Sequence, residues 1–199
     1  MHLVFDIFQG IGVAAAVGIR PFLPALAVGG LAAAHAQINF DAAKGSDFAF
    51  LQKPPFLFAM VFAAILLSIA DRRFGAERVE GRAGTSVIVV ISAALGALFF
   101  AGSLSRGGYA FWPGIIGGVV CALVGAAATR PLFARVRARL DAAAAIAVPL
   151  YAEVTGLILA ALSIVAPPVG LIGFLALLWL LWAGRRRGEQ KYAGLRILR

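Results

Sequence analysis

Charge is scarce in this chain, and negative charge is scarcest. Of 199 residues only 14% are charged, and the 9 Asp and Glu face 18 Lys and Arg. A soluble globular chain is usually about a quarter charged, so this one lacks the polar skin that a water-exposed fold needs. Cysteine is nearly absent. Cys121 stands alone in an apolar stretch, which excludes an intramolecular disulfide and makes it a small core or lipid-facing residue. The two histidines, His2 and His35, cannot build a dedicated metal site by themselves. There is no phosphate-binding loop, dinucleotide fingerprint, zinc-binding His pair or nucleophile elbow. No Ser–His pair or clustered carboxylates point to hydrolysis. The expectation is therefore a protein without a cofactor or metal and without enzymatic activity.

What fills the chain instead is hydrocarbon. Hydrophobic residues make up 62%, and mean hydropathy is +0.94. Positions 83 to 105, 107 to 129 and 154 to 184 carry no charged residue. Crossing the hydrocarbon layer takes roughly 20 mostly apolar residues. The three runs are long enough, and the third is long enough to need a turn. These features predict an all-α, polytopic membrane helical bundle in a single domain over 1–199. About six transmembrane helices are expected, over Leu3–Ala34, Pro54–Ala70, Gly84–Leu104, Phe111–Thr129, Ala142–Val165 and Val169–Ala183. The N-terminus lacks the basic start of a cleaved signal peptide, so the first helix is expected to stay in the mature protein.

The formal net charge of +9 would hint at nucleic acid in a soluble protein, but the basic residues lie mainly between and after the apolar runs. There they set orientation, because Lys and Arg collect in cytoplasmic loops. With six spans and the N-terminus inside, the cytoplasmic segments hold 14 basic residues. These are Arg72, Arg73, Arg78 and Arg82, then Arg130, Arg135, Arg137 and Arg139, then Arg185, Arg186, Arg187, Lys191, Arg196 and Arg199 in a basic tail over 185–199. Outer loops hold three, Lys44, Lys53 and Arg106. The expectation is a multi-pass inner-membrane protein with both termini cytoplasmic, partnered by the lipid bilayer and not by nucleic acid.

The first apolar run is too long for one straight crossing, and Pro21 and Pro24 lie inside it, in Gly18-Ile19-Arg20-Pro21-Phe22-Leu23-Pro24. Proline lacks an N–H and crowds the preceding turn. A broken first helix follows, with Arg20 at the break. At bilayer depth a guanidinium costs several kcal/mol (roughly 2.5–3.5 on insertion scales) unless it is paired or hydrated. Glu153, the one acidic residue in the interior of a predicted span, is its expected partner, and unpaired it would be a candidate proton relay. Arg20 and Glu153 are thus the candidate substrate-binding or ion-path residues. Pro149, four residues before Glu153, is expected to unwind a turn. Asp71 ends the second span beside Arg72 and Arg73, as a gate residue or an interfacial cap.

Two further patterns bear on organisation. Val13–Leu23 and Val124–Phe133 are both small-residue stretches that end in Arg-Pro and an apolar pair, with Arg20 and Arg130 as counterparts. With three spans between their starts, this echo suggests a 3+3 inverted repeat with halves 1–105 and 106–184. Gly114 and Gly118 give a G-x-x-x-G spacing. Small residues one turn apart let helices pack closely in lipid, so a homodimer through such faces is a candidate. Trp112, Trp179 and Trp182 lie near span ends, as interface anchors do.

The Gly18–Pro24 stretch resembles the Gly-Leu-Arg-Ala-Phe-Leu-Pro-like motif that opens the small bacterial integral membrane family called domain of unknown function 4126. Pro21 stands here where alanine is usual in that motif. The resemblance implies a membrane bundle over most of the chain, sets Glu153 against the acidic residue of the family's late span, and implies no assigned activity. Function thus rests on the residues: a small transporter or permease-like protein first, a structural or accessory membrane protein second, and a lipid-headgroup-handling protein third.

Overall fold

The computed structural model describes residues 2–41, 47–75 and 81–195. Lys44, Arg78, Arg196 and Arg199, all used above to orient the chain, lie outside the described residues. The elements in order are α1 (His2–Ile19), α2 (Phe22–Ala33), a 3₁₀ turn (Ala49–Gln52), α3 (Pro54–Phe74), α4 (Arg82–Arg106), α5 (Trp112–Arg137), a single turn α6 (Ala142–Ala145), α7 (Val148–Val165) and α8 (Pro167–Leu195). Five of them, α3, α4, α5, α7 and α8, contain stretches long and apolar enough to cross a membrane, while α1 and α2 are shorter apolar helices. The protein is an all-α polytopic membrane bundle.

Proline places most of the helix starts. Pro54 and Pro55, Pro113 and Pro149 lie in the first residues of α3, α5 and α7, and Pro167 opens α8. At a helix start the missing N–H is lost without cost, because that donor has no intrahelical acceptor. Pro149 therefore begins α7 and does not unwind a turn within it. The two Arg-Pro pairs behave differently. Pro131 is carried inside the continuous helix α5. Pro21 lies between α1 and α2 and serves as the N-cap of α2, with Pro24 in its first turn.

The break at Arg20 is a reversal. Asp6, near the start of α1, pairs with Arg106 at the end of α4. Arg106 also donates to the carbonyl of Gln37, just beyond α2, at 3.0 Å. Gly29, late in α2, lies against Leu51 and Leu57 at the start of α3. The start of α1 and the end of α2 are thus on one face of the bundle, with the start of α3 and the end of α4. The opposite face carries the α1–α2 turn, the end of α3, the start of α4, the end of α5 and the start of α7, joined by Arg20–Asp71 and Arg130–Thr85 contacts. The end of α8 joins it there, with Gly184 beside Arg135. These are called the Asp6 face and the Arg20 face below.

Two expectations change as a result. The start of α1 and the end of α8 are on opposite faces, where one face had been expected for both. α1 and α5 also run in the same direction, because the return through α2 adds a pass between them. The echo therefore relates parallel segments, and the structure does not bear out the inverted relation.

α1 is the axis of the bundle, packed by α4, α5, α7 and α8. Val13 to Val17 are at most 1% exposed. Apolarity on all sides marks a helix surrounded by others. Its crossing with α5 depends on two glycines. A Cβ on Gly18 would lie 2.2 Å from the carbonyl oxygen of Ala122, and one on Gly125 would lie 2.3 Å from that of Ala15. The Gly114–Gly118 spacing works the same way within the chain. Those residues face Ala101 and Gly96 of α4, so the pair is occupied before any second copy could use it. Between α2 and α3 the described residues contribute three side chains to the core. Ile38, Phe40 and Leu51 are at most 2% exposed and close the Asp6 end of the core. Trp112, Trp179 and Trp182 are exposed, and the guanidinium of Arg186 lies 3.6 Å over the Trp182 ring.

Candidate functional site

Arg20 follows the last residue of α1. Its amide still reaches back to the carbonyl of Ala16 at 3.4 Å, and Pro21 ends the ladder there. The guanidinium turns into the bundle, where its Nη1 lies 3.3 Å from Oδ2 of Asp71, with the two side chains 5% and 10% exposed. Among the described residues the carboxylate paired with Arg20 is Asp71, in the last turn of α3, and not Glu153. The reversal explains the exchange of partners. It moves Arg20 from mid-depth to the Arg20 face, level with the end of α3, so the residue read as a cap at the end of the second span becomes the partner.

Glu153 is nevertheless next in line. It is 8% exposed, and its Oε2 is buried with no hydrogen-bond partner. Among the described residues, Arg20 and Asp71 are charged groups that act on it through space. Because α7 begins at Val148, Glu153 is less than two turns from the helix start and not deep in a span. Gly156, one turn on, lets α7 close on the α1–α2 turn: a Cβ there would be 2.9 Å from Cγ of Pro24 and 3.2 Å from the carbonyl oxygen of Ala16. The two helix-break residues thus have separate tasks. Pro21 ends one ladder and starts the next, and Pro24 seats α7. Gly18 brings Arg20 against α5.

Beside Arg20 is a cavity of about 20 Å³. Its polar lining comes from Arg20, Thr85, Thr129 and Arg130, and Ile19, Ile88, Phe133 and Ala152 supply the rest. Arg130 donates from Nη1 to the carbonyl of Thr85 at 3.2 Å, and the Thr129 hydroxyl donates to the carbonyl of Gly125 at 2.7 Å. A cavity needs roughly 10–15 Å³ of such volume to admit one water. The two echo segments therefore meet: Ile19-Arg20 and Thr129-Arg130 line one space.

A second polar cluster, on the Asp6 face, has no counterpart in the sequence reading. Arg106 reaches the carboxylate of Asp6 and, at 3.0 Å, Oε1 of Gln9. Gln9 is 2% exposed, and its Nε2 is buried without a hydrogen-bond partner. Asp6 and Gln9 are three apart on α1 and so share a face. That spacing was the available signal, but it named no partner, because Arg106 is 97 residues further on.

A family model described as Domain of unknown function (DUF4126) matches residues 7–187. The chain belongs to that family. No curated protein and no solved structure matches it.

Proposed function

We propose that this DUF4126 protein is a small permease of the inner membrane whose working site is the Arg20–Asp71–Glu153 cluster. One observation carries the reading: three ionisable side chains from three different elements converge, buried, at a helix reversal. Ionisable groups within membrane segments are expensive and mark ion and proton paths. Discontinuous helices bring backbone ends to such sites. Arg20 stays charged, Asp71 balances it, and Glu153 is a carboxyl with a buried oxygen left for a proton or a water.

The distribution of basic residues orients the bundle. The Arg20 face carries Arg20, Arg72, Arg73, Arg130, Arg135, Arg137 and the start of the tail, and the Asp6 face carries Lys53 and Arg106. By the rule that basic residues stay inside, the Arg20 face is cytoplasmic and the start of α1 is outside. Six spans then become seven passes. Of these, α2 with 12 residues reaches only about 18 Å, and the buried side chains of Ile38, Phe40 and Leu51 lie beyond its end.

A structural or accessory role is the second reading, favoured by the sealed centre, where Val13 to Val17 are at most 1% exposed. Reconstitution in liposomes separates the two. Fluxes of protons, small cations and small anions are compared for wild type, Arg20→Ala and Glu153→Gln. The permease reading expects a flux above empty liposomes that Glu153→Gln reduces at least tenfold. Background fluxes across the panel for all three proteins would leave the accessory role standing alone.

A further inference from the structure

We infer that the groove beside the second half of α3 binds one acyl chain of an anionic phospholipid, with the headgroup at Arg72. The groove has a volume of about 280 Å³ and is lined by Leu23, Ala64, Ile65, Ser68, Ile69 and Arg72. All but Leu23 come from α3, in two adjacent rows at four-residue spacing, Ala64-Ser68-Arg72 and Ile65-Ile69. The register of α2 against α3 makes the space. Late in α2, Gly29 lies against Leu57, and at its start Phe22 packs with Ala64 and Leu67. α3 then runs on to Phe74, past the first residue of α2. Asp71 turns inward to Arg20, while Arg72, the next residue, is exposed and lines the groove.

Depth, width and charge each favour a lipid. Ala64 to Arg72 spans about 12 Å along the helix, close to the roughly 15 Å of hydrocarbon in one leaflet. The apolar part of the groove is therefore at acyl-chain depth and the guanidinium at headgroup level. A volume of about 280 Å³ over that length gives a cross-section of about 23 Å². A helix about 10 Å across needs about 80 Å², so the groove seats an extended hydrocarbon chain and not a partner's helix. Among the lining residues only Arg72 is charged, and Arg73 is exposed beside it. A guanidinium meets a phosphate with a bidentate fork. Ser68, exposed one turn before Arg72, adds a hydroxyl at the depth of the ester linkages. With the Arg20 face cytoplasmic, the lipid belongs to the inner leaflet, whose anionic lipids collect at basic residues beside the membrane. A second copy of the chain is the poorer occupant. Two-fold symmetry sets one patch against itself, and it would bring Arg72 and Arg73 of both copies to one level.

The lipid site goes beyond the permease reading and does not need it. Binding is tested on the purified full chain in a neutral detergent, by titrating phosphatidylglycerol or phosphatidylcholine with the same acyl chains and following the unfolding temperature. A saturable rise with phosphatidylglycerol is expected, at concentrations at least tenfold below those at which phosphatidylcholine acts. Arg72→Gln should weaken that response at least tenfold. Ser68→Phe fills the groove but keeps the charge, and should weaken it as much. Arg139→Gln removes an exposed arginine just beyond α5 and should respond like wild type. A phosphatidylglycerol with a photoreactive group on its acyl chain should label a peptide holding Ile65 and Ile69. Equal responses to the two lipids, or no saturable response, would overturn the inference. So would a folded Arg72→Gln or Ser68→Phe protein that responds like wild type, an equal loss in Arg139→Gln, or label confined to other helices. Inorganic phosphate that reproduced the rise would assign Arg72 to a free anion, and a dimer that Ser68→Phe dissociates without lipid would assign the groove to a second copy; either would overturn the lipid site.

Discussion

Removing Arg20 tests the central ion pair most directly. The pair is in direct contact at 3.3 Å, and its side chains are 5% and 10% exposed, so solvent screens it little. Breaking a buried pair by deleting one partner typically costs 3–5 kcal/mol, because the other charge stays buried. In a membrane the unfolded reference state also finds polar partners, which favours the low end, about 3 kcal/mol. For a chain of this length each kcal/mol lowers the unfolding temperature by about 2–4 °C. Arg20→Met should therefore unfold about 6–12 °C earlier than wild type in detergent. The double variant Arg20→Met/Asp71→Asn removes both charges. Its loss should fall short of the summed single losses by about 3 kcal/mol, near the upper limit for residues in direct contact. A parallel cycle pairs Arg20→Met with Glu153→Gln, where the shortfall should be smaller. Additive losses in the Asp71 cycle, or a larger shortfall in the Glu153 cycle, would refute this account of the site.

Three other expectations follow from the same structure. Gly125→Val pushes a side chain into the carbonyl of Ala15, where even a Cβ would be at 2.3 Å; it should cost about 3 kcal/mol or more, seen as early unfolding or loss of the monodisperse peak in size-exclusion chromatography. Arg106→Gln leaves Asp6 buried without its guanidinium and should cost about 2 kcal/mol, with Asp6→Asn restoring part of the loss, and a silent Arg106→Gln would show the Asp6 cluster to be incidental. In a Cys121→Ser background, an impermeant maleimide should label Val4→Cys on intact cells and Arg185→Cys only after permeabilisation, whereas labelling of both under one condition would place the ends of the bundle on a single side.

The five long helices were legible because charge-free runs of spanning length have few other fates. α4 matches the run at 83 to 105, α5 takes up most of the run at 107 to 129 and continues past it to Arg137, and Pro167 divides the third run between α7 and α8. The reversal at Arg20 was not legible. A single Arg-Pro with apolar residues on both sides reads equally as a kink or as a turn, and in α5 the same dipeptide is carried inside a continuous helix. What decides is tertiary. α2 is 12 residues long, below spanning length by itself, and it is held by contacts with α3 and α7 that no local pattern announces. The misplaced partner follows from that one ambiguity. With Arg20 taken at mid-depth, Glu153 was the acid to match it, and with Arg20 at the end of α1, Asp71 is. The family motif Gly18–Pro24 marked the right stretch without indicating its geometry.

The placement of charge against helix ends ranks the two halves of the central pair. A helix end carries roughly half a charge, negative at the C-terminus, and a cation there gains about 0.3–1 kcal/mol. Arg20 directly follows the C-terminal end of α1 and Arg106 is in the last turn of α4, so both stand where their helices favour them. Asp71 is in the last turn of α3, a carboxylate at the negative end of its own helix. It is there against the field, and its ion pair with Arg20 helps to offset it. Deleting Arg20 removes that offset and leaves the misplaced carboxylate buried. Deleting the charge of Asp71 leaves a cation at an end that suits it. Arg20→Met should therefore be the more damaging single change, by about 1 kcal/mol. A larger loss for Asp71→Asn would mean that contacts other than helix ends set the balance of charge on this face.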